Sequence, residues 1–79
     1  MQSATDKIEQ LMFIYWDTPK SPELYAFAEK ILKAKERGES RSSIKRQLGS
    51  FQIETFGRHS MDECDKIIIW LDKVVAGDA

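Results

Sequence analysis

The sequence predicts an all-α fold, a compact single domain of four or five short helices. Three observations carry that expectation. Apolar residues recur at spacings of three and four along most of the chain. Helix-capping residues, Ser21, Gly38, Gly57 and Ser60, stand at the breaks between these periodic stretches. The one alternation that suits a strand, at 51–55, has no second strand elsewhere in the chain to pair with. A chain of 79 residues builds one core, so the domain is expected to span 1–79. Leu, Ile, Val and Phe make up 19 of the 79 residues. That share exceeds the roughly 20% below which a chain stays disordered.

The first helix is expected at about 5–16. Ile8, Leu11, Met12 and Tyr15 mark one helical face, and Phe13, Ile14 and Trp16 make the segment apolar nearly all round. Pro19 biases Thr18 away from helical geometry and ends it. The second helix, 22–37, opens on a capping Ser21, Pro22 in the first turn and Glu23 at the positive end of the dipole. Leu24, Phe27, Ala28 and Ile31 form its buried stripe, and Gly38 closes it in the left-handed conformation.

The third segment, 41–56, carries Ile44, Leu48 and Phe51 at helical spacing, but Gly49-Ser50 interrupts it. It reads as two short helices broken near 49, or as one kinked helix. The fourth, 61–76, follows Ser60 and Glu63, which have capping-box spacing. Met61, Cys64, Ile67, Ile68, Leu71, Val74 and Val75 share one face. Ile69 falls about 140° from Cys64, off that stripe, beside Trp70. The core is expected from the first, second and fourth helices.

Composition excludes several classes of function. Cys64 is the only cysteine, so no intrachain disulfide can form. The apolar runs 11–16 and 67–71 are far shorter than the roughly 18 residues of a membrane span. The N-terminus lacks a basic-then-apolar leader, so a cytoplasmic location is expected. His59 is the only histidine and sits just before the capping Ser60, away from the apolar face that carries Cys64. These two residues do not form a nucleophilic pair, and no cluster of ligands for a metal is present. The acids Asp62, Glu63 and Asp65 at the start of the fourth helix answer its dipole. No catalysis, cofactor or metal is expected.

Two readings of function remain. The first is a non-catalytic binding or regulatory protein that docks on a partner protein, or on a second copy of itself, through surplus apolar surface. Phe13, Ile14, Trp16, Ile69 and Trp70 are its candidate interface, the tryptophans as anchors. By analogy of size, small accessory or inhibitor proteins of phages and plasmids work in this way.

The second reading rests on charge and on a local pattern. The net charge is −1, yet residues 30–59 hold eight basic side chains against three acidic ones. Within them, residues 38–49 have the spacing G-x-S-x-x-x-I-x-x-x-L-G. That dozen residues resembles the first helix and turn of helix-turn-helix DNA-binding domains. The resemblance implies a small regulator in which Arg41, Lys45, Arg46 and Arg58 meet phosphates and Gln52 reads a base edge. Three features depart from the pattern. Lys45 stands where a small residue is usual, Phe51 where a capping serine is usual, and the would-be recognition helix, 52–58, is short and carries Glu54.

Overall fold

A computed structural model describes residues 3–77, which form four helices: α1 (Ala4–Trp16), α2 (Pro22–Glu36), α3 (Arg41–Phe56) and α4 (Met61–Ala76). Residues 1–2 and 78–79 of the expected domain lie outside the described residues. The architecture is all-α, as the sequence predicts. No helix among the described residues is long and apolar enough to cross a membrane.

Every helix begins on a serine. Ser3, Ser21, Ser40 and Ser60 each accept the backbone N–H three residues on, from Asp6, Leu24, Ser43 and Glu63. Each cap satisfies one of the donors that a helix start leaves free. Asp6 completes the box at Ser3 by accepting that residue's own N–H at 3.1 Å. The pairing expected at Ser60 is only half built, because the Ser60 N–H donates to Gln52 Oε1 at 3.2 Å instead.

Helix α2 ends in a paired left-handed turn. Gly38, at φ 85°, donates to Lys35 and Glu39 donates to Ala34, so two otherwise free carbonyls are closed off. Glu39 then serves the next helix. Its carboxylate accepts from Arg37, from Ser43 Oγ at 3.0 Å and from Gln47 Nε2 at 3.0 Å. The Arg37 guanidinium, and after it the Ser43 hydroxyl, holds that carboxyl below its ordinary value.

The break expected near 49 does not occur. Helix α3 runs unbroken through Gly49 and Ser50. A helix-interior glycine costs about 1 kcal/mol relative to alanine. Here it makes room for a neighbour, since a Cβ on Gly49 would lie 2.7 Å from His59 Nε2. Leu48 and Gln52, buried on either side, hold the helix through the weak point.

Ile8, Met12 and Trp16 of α1 meet Leu24, Phe27, Ala28 and Ile31 of α2 and Cys64, Ile67, Ile68 and Leu71 of α4 in one core. Helix α3 adds Ile44 and Leu48 to it, with Phe51 and Phe56 half-buried against it. Met61 and Val75, on the same stripe of α4 by periodicity, overhang the core at the helix ends and are exposed. Helix α1 packs on α2 and α4, and α3 packs on α4 and α2. The backbones of α1 and α3 do not meet, and Trp16 spans the gap between them. Its ring lies 5.5 Å from Phe51 and 5.7 Å from Phe56, while Phe51 stacks on Phe27 at 4.0 Å.

Candidate functional site

The basic segment lies at the surface, and most of its cations are paired there with carboxylates. Lys45 Nζ meets Asp65 at 2.9 Å, and Arg41 reaches Asp72, which also holds Lys35 at 2.7 Å. Arg58 donates to Glu63 at 2.8 Å and to the last carbonyl of α1, on Trp16, at 3.1 Å. That second bond closes the C-terminus of α1 with a cation, where the dipole favours one. Lys33 and Arg37 pair with Glu29 and Glu39. Two of the acids that the dipole alone accounted for, Asp65 and Glu63, are thus also counter-charges, for α3 and for the loop before α4, while Asp72 near the far end of α4 serves α2 and α3.

Gln52 is fully buried. Its Oε1 accepts from the Ser60 N–H and from Cys64 Sγ at 3.2 Å, and its Nε2 donates to Glu63 at 3.1 Å. A side chain so enclosed has no reach to a base edge, which corrects the role expected for it. The helix-turn-helix spacing had placed a turn at Gly49, and α3 puts residues 41–49 and 52–56 in one helix instead. Of the five residues expected to contact DNA, Arg46 alone has neither an ion pair nor a hydrogen bond among the described residues.

The apolar candidates also separate. Trp16 is 1% exposed and belongs to the core, so it is no surface anchor. Its position on the last turn of α1 puts it on the Ile8–Met12 stripe, which the broad apolar character of that helix had masked. Phe13, Ile14 and Ile69 are exposed, Ile14 at 57% and Ile69 at 47%, and Trp70 is half-buried. Lysines cover two of these rings: Lys73 lies 4.4 Å from Trp70 and Lys20 lies 5.7 Å from Phe13.

A further surface comes from residues that periodicity did not single out. Between α3 and the start of α4 runs a groove of about 400 Å³. Ser42, Arg46, Ser50 and Ile53, spaced as one face of α3, form one wall. His59, seated over Gly49, and Met61 form the other. Ile53 is 56% exposed and Met61 50%. Arg46 and Ser50 also border a second cleft of about 340 Å³, on the α2 side, with Lys30 and Glu54 at its rim. The sequence signal for the groove was Gly49-Ser50 itself, the small residues that had suggested a break.

Cys64 is buried, and its thiol is pushed up to about 11, by burial first and then by Asp65 and Glu63. It serves the fold as a donor to Gln52. Among the described residues, no three His, Cys, Asp or Glu side chains converge as metal ligands. Comparison with protein-family models, with curated proteins and with solved structures finds no match for this chain.

Proposed function

We propose that this chain is a small non-catalytic binding protein that acts by docking on a partner protein through exposed apolar side chains of its helices. One contrast carries this reading. Among the described residues, six of the eight cations of the basic segment are paired with carboxylates at the surface, while Ile14, Ile53, Met61 and Ile69 stand about half exposed with no apolar cover. Nucleic-acid affinity grows with the number of phosphates neutralised, and a cation paired to a carboxylate meets a phosphate only by giving up that pair. Apolar side chains on rigid helices suit a protein interface.

The test is a titration of a mixed-sequence DNA duplex with the full chain, read by fluorescence anisotropy at about 50 and 200 mM salt. Binding that stays weak at both salt concentrations is the expected result. Submicromolar binding that collapses with salt would overturn the reading in favour of a DNA-binding regulator.

A further inference from the structure

The groove between α3 and α4 has two chemically different ends. Toward the N-terminus of α3 it offers Ser42 and the Arg46 guanidinium; toward the C-terminus it offers Ile53 and Met61. Lys45 is engaged by Asp65, which leaves Arg46 as the wall's cation with no counter-charge among the described residues. An occupant that fits both ends carries a carboxylate at one and apolar side chains at the other. Methionine adapts its shape to such side chains, which suits Met61 to this place.

The geometry also selects the form of the occupant. An extended peptide that binds through its main chain adds to a sheet edge, and the described residues form helices with no strand. A polyproline segment needs an aromatic-lined groove, and no Trp, Tyr or Phe lines this one. A helix fits: the wall from Ser42 to Ile53 is about 16 Å long, three turns, and Ser50 keeps its middle low beside the imidazole that covers Gly49. A single unpaired guanidinium gives a phosphate backbone little to hold.

We propose that this groove takes an acidic amphipathic helix of a partner protein, with its apolar side chains against Ile53 and Met61 and a carboxylate on Arg46. The proposal rests on the protein-docking reading and specifies its site. Arg46 and Ile53 are two turns apart on α3, so the partner's acid lies about seven residues from its apolar anchor.

The experiment selects a displayed random-peptide library on the full chain and measures the enriched peptides by anisotropy. Enriched sequences are expected to place an acid about two turns from an apolar pair. Replacing that acid by its amide, or Arg46→Ala in the protein, weakens binding about tenfold. Ile53→Ser weakens it as well, whereas Ile14→Ser and Ile69→Ser leave it unchanged. All four positions are exposed, and an unaltered melting curve for each variant shows that the fold is kept. Peptides that bind Arg46→Ala and Ile53→Ser like the parent, yet lose affinity to Ile14→Ser or Ile69→Ser, overturn the groove and leave the protein-docking reading standing. A selection that enriches no peptide at all overturns the groove and leaves docking on a folded partner standing.

Discussion

Two seams hold α3 in place, and they are built from opposite materials. On the α4 side lies a polar seam. Gln52, fully buried, ties Ser60, Glu63 and Cys64 together, and Lys45–Asp65 and Arg41–Asp72 extend the seam along both helices. On the other side lies an aromatic wedge, in which Trp16, Phe27, Phe51 and Phe56 fill the space that α1 and α3 leave between their backbones. Dispersion and apolar burial are large but tolerate sliding, whereas hydrogen bonds of fixed direction do not. The wedge therefore adds apolar burial to the core beside Ile44 and Leu48, and the seam sets the register of α3 against α4.

Cutting the wedge is expected to have the largest effect. Trp16→Ala opens a cavity among three phenylalanines and should cost about 3–5 kcal/mol, measured by urea unfolding. Trp16→Phe should cost much less. The indole N–H is buried without a hydrogen-bond partner, and its desolvation penalty disappears together with the lost ring area. A Trp16→Phe variant as damaged as Trp16→Ala would place the wedge's contribution in the indole itself.

The polar seam comes next. Gln52→Ala strands the Ser60 N–H and removes a donor from Glu63, for an expected loss of about 2–3 kcal/mol. Its particular signature is local. Amide exchange at Ser60 and through the first turn of α4 should speed up more than exchange in α1. Uniform acceleration would mean that Gln52 acts as bulk packing and sets no register.

These two seams were unequally legible in the sequence. Helix ends were plain, because Ser21, Gly38 and Ser60 act on their immediate neighbours through caps and left-handed turns. The stripes of α2 and α4 were plain because spacing alone gives them. Gln52 was misread and the bonds of Arg58 within the fold were not foreseen, since both depend on partners at Glu63, Cys64 and Trp16 that only tertiary packing brings close. The groove was hidden for the same reason. A glycine in mid-helix signals a break by local propensity, and only the arrival of His59 shows that it is a seat.

A pH titration sharpens the comparison from within the seam. The Cys64 thiol, ordinarily near 9.0, is pushed up to about 11 in the fold. The unfolded chain therefore loses this proton first as pH rises. The stability it confers is complete below pH 9.0 and is lost as the pH climbs toward 11. The loss amounts to at most about 3 kcal/mol. Cys64→Ser keeps a donor for Gln52 but does not titrate in this range. It should flatten that part of the stability profile relative to the parent, in urea melts between pH 8.5 and about 11. Identical profiles would mean that Cys64 does not govern the alkaline limit.

The smallest effect is expected at Gly49, where the fold and the proposed groove meet. Alanine there gains up to about 1 kcal/mol of helix propensity. Its methyl would also meet His59 Nε2, at 2.7 Å from the Cβ position, so the imidazole has to move. His59 is exposed and carries the contact on the far end of its side chain, which makes that movement inexpensive. Gly49→Ala should therefore raise the melting temperature slightly while displacing one wall of the groove and weakening any helix bound in it. In a His59→Ala background the same substitution meets no ring, and the full propensity gain should appear. The difference between the two backgrounds, read as a double-mutant cycle, measures how firmly His59 is seated. If Gly49→Ala instead lowers stability, and His59→Ala restores it, the imidazole is held as tightly as a core side chain. The groove wall would then be a rigid part of the polar seam.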